Sequence, residues 1–132
     1  MNLNIIPKDK EDLNFVEVLF SMDIDEVKDE VPLLLKWIKD GNWPQAPYIY
    51  QYFIPHVNEI EDEVIKILKS NDELWKYWLI NGLLFKSKHR PSNLIMKELE
   101  YLYNNPTEDE KEAEVDISAF EVINKFGGNV SD

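Results

Sequence analysis

Two histidines, His56 and His89, are the only side chains in this sequence whose ordinary pKa lies near neutrality, and neither stands in a motif that commits it to catalysis. His56 precedes Glu59 by three positions, which places both side chains on one helical face, as in some carboxylate metal sites. A transition-metal centre needs three or four ligands, and Glu61, Asp62 and Glu63 fall on other faces. The expectation is a half-solvated helix start with no metal. His89 lies between Lys88 and Arg90 in a small basic tip, expected to be a solvated loop. Cysteine is absent, which removes thiolate ligands, a thiol nucleophile and disulfides. The glycines, Gly41, Gly82, Gly127 and Gly128, open no strand-to-helix phosphate loop, and the serines sit in no nucleophile elbow. Carboxylates are so abundant that no single pair stands out as a general acid and base. No catalytic residue and no cofactor is expected.

The aromatic residues carry more information. Trp75, Tyr77 and Trp78, with Lys76 among them, step around a helix by about 100° per residue, so the three rings cannot share one stripe. Tyr48 and Tyr52 share a face while Tyr50 points nearly opposite, and Trp43 precedes that helix in a turn. Either these helices are sandwiched and bury both sides, or some rings face a partner. On the second reading the expected surface is formed by Trp43, Tyr50, Asp72, Glu73, Trp75 and Tyr77, aromatic anchors beside acids that steer a basic protein. The alternative is a small enzyme or ligand-binding protein with a pocket lined by Trp75, Trp78 and Glu73.

The elements that must position these residues are helices. Apolar spacing predicts a short helix over 9–20. A second, 23–40, begins on an Asp23/Glu26 capping box, stops at Gly41 and should kink at Pro32. A third runs from Pro44 to Ile54, and a fourth from Val57 to Lys69. The fifth, 72–85, is apolar around most of its circumference, which marks it as central; Ser70 and Glu73 are expected to cap it. A sixth spans Ser92 to Tyr103. The last spans Thr107 to Phe126, opening on a Thr107/Glu110 capping box and stopping at Gly127 and Gly128. The fold class is therefore all-α with about seven helices in one domain, 1–132. Paired with short turns, they suggest a stack of antiparallel hairpins, a HEAT/ARM-like α-α superhelix, with a non-repetitive bundle as the other arrangement.

The chain has 132 residues and a formal net charge of −12. About half of that excess lies between Glu108 and Glu121, where seven acids face only Lys111. Such a chain is repelled by phosphate backbones and anionic leaflets, so no nucleic acid and no membrane is expected as partner, while a basic protein is favoured. The charge also serves solubility. The absence of cysteine fits a reducing compartment, and no apolar run approaches the ~18 residues of a span, so the expected setting is cytoplasmic. The chain is expected to be a monomer or weak homodimer.

Four islands, Ile6-Pro7-Lys8-Asp9-Lys10, Asn42-Trp43-Pro44 with Ala46, Trp75-Lys76-Tyr77-Trp78 and Asn105-Pro106-Thr107-Glu108, together resemble a family of small bacterial proteins, domain of unknown function 5071. The resemblance spans nearly the whole chain. It implies a HEAT-like helical fold and a bacterial, cytoplasmic setting, and carries no catalytic residues. The expected function is a non-enzymatic protein-binding module, in one concrete version an immunity-type protein that neutralises a basic toxin.

Overall fold

The computed structural model describes residues 5–9 and 12–127. Met1 to Asn4, Lys10 of the first island and Gly128 of the expected final stop lie outside the described residues. Among those described there are helices and no strands. The helices are α1 (Phe15–Phe20), α2 (Ile24–Val27), α3 (Val31–Lys36), α4 (Ala46–Phe53), α5 (Glu61–Leu68), α6 (Glu73–Leu79), α7 (Asn93–Asn104), α8 (Glu108–Glu112) and α9 (Val115–Phe126). Because α2 and α3 continue one another, as do α8 and α9, they make seven helical rods, as the periodicity predicts.

The capping chemistry explains where most rods begin. Asp23 and Glu26 form their reciprocal box, as do Thr107 and Glu110, whose backbone and side-chain bonds are 2.8 and 3.1 Å long. The fifth rod departs from expectation at its start: Asp72, not Ser70, is its N-cap and accepts from the Trp75 N–H at 3.0 Å. Ser70 Oγ instead donates to the Ile67 carbonyl. Gly127 closes α9 in the left-handed region at φ 66°.

Three breaks interrupt the predicted rods, the first beside Pro32, where a kink is expected, and two that the periodicity does not show. In the second rod a 3-10 turn over Lys28–Glu30 precedes Pro32, which then sits in the first turn of α3, where its missing N–H has no helical partner to lose. The predicted fourth helix begins as 3-10 structure from Ile54 to Ile60, with His56 at φ −120°, and becomes α-helical only at Glu61. The last rod breaks at Glu114, whose φ of 61° turns the chain between α8 and α9.

The buried apolar residues form one cluster running from Ile5 to Val122. α7 and α9 pack along each other, α5 packs on α6 and α7, and the end of the fifth rod is enclosed by α4 and α9, which makes it central as its all-round apolarity implies. The N-terminal segment is tied to this core through fully buried Gln45. Its amide donates to the carbonyls of Asp9 and Asp12 at 2.7 and 3.1 Å. Asp12 in turn accepts the N–H groups of Lys8 and Asn14, and these bonds hold its carboxyl below its ordinary pKa.

The fifth rod does not finish as an α-helix. Ile80–Leu84 winds as a π-helix, closed by the Phe85 N–H on the Ile80 carbonyl at 2.8 Å. A Cβ on Gly82 would fall 2.6 Å from the Tyr50 ring, and one on Gly41 would fall 2.2 Å from the Trp78 ring. Both glycines are thus seats for aromatic rings, which lets α4 and the turn at Gly41 approach the fifth rod closely.

Candidate functional site

The six residues expected to form a binding surface are largely employed in joining helices. Tyr50 is a correction: at 8% exposure it is buried, its ring on Gly82 and its hydroxyl donating to the Ile38 carbonyl at 3.3 Å. Burial raises its pKa, and the Asp40 carboxylate adds to the effect. The reason is that α4 is covered on both sides, so the helical face opposite Tyr48 is core. Trp43 is half-buried in the turn before α4, edge-on to Trp37 with ring centroids 5.7 Å apart. Tyr77 is half-buried and edge-on to Trp78 at 5.3 Å. Trp75 donates its indole N–H to the Leu35 carbonyl at 2.9 Å and carries the Lys39 ammonium over its ring at 4.6 Å.

Asp72, Glu73 and Trp75 share one shallow depression, with Lys39 paired to Asp72 at 3.6 Å. Trp43, Tyr50 and Tyr77 do not line it, so the structure brings together half of the expected set. The pocket expected from Trp75, Trp78 and Glu73 is divided as well: Trp78 lines a separate cleft between the fifth rod and α4.

Several groups that could do proton chemistry are committed to structure. Lys76, 2% exposed, meets Glu110 at 2.6 Å and Glu73 at 3.5 Å. Desolvation pushes the Glu110 carboxyl up, but the hydrogen bond from Lys76 and the bonds from Thr107 outweigh it, and the net pKa is lowered. His56 pairs with Glu59 at 2.9 Å and lies beside the Tyr52 ring. His89 stands in the exposed connector, its carbonyl accepting from Ser87 Oγ at 2.7 Å. Among the described residues no group of three or more His, Asp or Glu is placed to hold a metal ion. Among the same residues no helix is long and apolar enough to cross a membrane.

An open aromatic surface lies outside the six expected residues. Tyr103 of α7 and Phe120 of α9 are 44% and 43% exposed, yet their rings pack with centroids 4.9 Å apart across the seam of the two helices. Ile117, one turn before Phe120, is 50% exposed. Acids flank this apolar spot along α9, and more stand on α8. Glu121 is one turn after Ile117, while Asp109, Glu112 and Glu114 lie in and after α8; all four are exposed, and none enters an ion pair among the described residues. The signal was available: Ile117 and Phe120 are three apart and off the Val115, Ala119, Val122 stripe, and Tyr103 is off the Ile95, Leu99, Leu102 stripe.

Comparison with curated proteins gives no match. The model of the family described as Domain of unknown function (DUF5071) matches residues 5–123, almost the whole chain, and the chain belongs to that family.

Proposed function

We propose that this chain is a non-enzymatic binding module for a basic protein, engaged through the acidic, aromatic surface of α7 to α9. The observation that carries the reading is the exposed Tyr103–Phe120 ring pair with Ile117, on a helix whose exposed Glu114 and Glu121 enter no ion pair among the described residues. Aromatic side chains supply most interface energy when they enter pockets, and a rim of one charge sets partner choice and association rate. Lone exposed apolar residues are ordinary, but three contiguous ones across a helix seam form a patch that water disfavours. The depression at Asp72, Glu73 and Trp75 also joins acids to an aromatic ring, but there Lys39 pairs with Asp72 and Lys76 with Glu73. Helices joined by short turns fit a HEAT-like stack, whose layered helices present extended faces for binding.

The concrete form is an immunity-type protein of a bacterial cytoplasm that covers the cationic active site of a toxin. In the test, a Tyr103→Ala/Phe120→Ala variant and a Glu114→Lys/Glu121→Lys variant are compared with wild type for capture of a partner at low and high salt. Retention of a basic protein by wild type alone supports the reading. Equal retention by all three removes this surface from it, and an acidic or nucleic-acid partner overturns it.

A further inference from the structure

We infer that the cleft between α4 and the π-turn is a binding site for a small planar aromatic anion. The cleft has a volume of about 470 Å³, within the usual range of ligand sites. Its walls are the rings of Tyr50 and Trp78, each seated on a glycine that leaves no room for a Cβ. One side is the π-turn itself, and π-turns of this kind recur at functional sites. Asn81 lies within that turn, and its amide is fixed on the Tyr77 carbonyl at 2.9 Å and on Ser118 Oγ at 2.8 Å, which holds the wall rigid.

Charge selects the ligand. Although the chain has 26 acidic residues, among the described residues no carboxylate lines this cleft, and its one charged lining group is the exposed Lys86. Two other depressions contrast with it: the one beside Lys28 is lined by Glu59, Glu61, Asp62 and Glu63, and the one at the α6 start by Asp72 and Glu73, while a third sets Glu63 against Lys36 and Lys66. The acid adjacent to Gly41, Asp40, accepts from the Asn42 N–H at 2.9 Å; its charge reaches the Tyr50 hydroxyl, but it does not line the cleft. Two ring walls take a flat apolar body, Lys86 takes an anionic group, and Gln51 at the rim offers an amide. An amine would meet Lys86 without a counter-charge.

The probe is 2-naphthoate, followed by amide chemical shifts of the whole chain. The expected result is saturable binding with a dissociation constant of roughly 0.03–1 mM, the range ligand efficiency allows a probe of this size. The shifts should concentrate at the Gly41 and Gly82 amides and the Asn81 side chain. Gln51 is exposed, so Gln51→Trp fills the cleft without touching the core and should abolish binding while the spectrum stays folded. Lys86→Met, and separately the uncharged 2-naphthamide as probe, should each weaken binding about three-fold, as expected for an exposed charge pair. Unsaturable shifts, shifts centred elsewhere, undiminished binding in Gln51→Trp, or equal affinity for the amide would each overturn the inference.

Discussion

Replacing Glu110 by Gln should be among the most damaging single changes at a charged position. Lys76 is 2% exposed and its ammonium lies 2.6 Å from one Glu110 oxygen, while the other oxygen caps α8 through the Thr107 N–H. Removing one partner of a buried ion pair costs about 3–5 kcal/mol, because the remaining charge stays desolvated. Glu73, 3.5 Å from the same ammonium, offsets part of this, so the low end, about 3 kcal/mol, applies. In a chain of this size that lowers Tm by roughly 10–15 °C. Thr107→Ala provides the comparison, since it removes the cap and leaves the pair, at about 1 kcal/mol. Lys76→Met together with Glu110→Gln should recover most of the loss, since an apolar side chain of similar length fills the site without a charge to satisfy. Because the folded Glu110 carboxyl titrates below its unfolded value, the pair's contribution is complete above the ordinary glutamate range and is lost as pH falls through the folded value. Urea unfolding at neutral and acid pH measures both effects. If Glu110→Gln costs no more than Thr107→Ala at neutral pH, Lys76 is not held as a buried charge and the reasoning fails.

Gly82→Ala and Gly41→Ala should each destabilise by about 1–3 kcal/mol in thermal unfolding, because the new methyl enters the Tyr50 or Trp78 ring; an unchanged Tm would mean the rings are not seated there. Tyr52 donates its hydroxyl to the Met22 carbonyl at 2.7 Å, and burial together with Asp23, Glu26 and Glu59 pushes its pKa up to about 12. Its stabilising effect is thus full below the unfolded value near 10 and declines as pH rises toward 12, and Tyr52→Phe should remove one late step from the phenolate absorbance titration. A Tyr52→Phe titration identical to wild type would contradict this. Tyr103→Ala and Phe120→Ala should each move Tm by no more than a few degrees, since neither ring belongs to the buried core; a large fall would make them core and withdraw them from the proposed surface.

Local chemistry made several helix starts and the last stop legible in the sequence, whereas the second rod ends at Lys36 and not at Gly41. Capping boxes at Asp23 and Thr107 and the glycine at 127 act within one turn, so their residues announce themselves. The central position of the fifth rod was legible in the same way, from apolar residues all round it. What was hidden depends on partners distant in the chain. The π-turn coincides with packing of Tyr50 on Gly82, 32 positions apart, and the break at Glu114 lies between a Glu110 that reaches Lys76 and a Val115 stripe that packs on α7. The candidate site suffered most from this. The spacing around Trp75 showed that some ring must leave the main stripe, but it could not show that neighbouring helices cover Tyr50 while Tyr103 and Phe120 stay open.

The central claim, a basic partner held on the α7 to α9 surface, is tested most directly by the affinity of the captured partner for wild type and for Tyr103→Ala/Phe120→Ala, measured at about 50 and about 300 mM salt. The account predicts a basic protein whose affinity falls about ten-fold or more with salt, as screening removes the acidic rim's attraction. It also predicts a loss of about 2 kcal/mol or more in the double variant at both salts, with Tm nearly unchanged. Binding indifferent to salt and to the loss of both rings would contradict it.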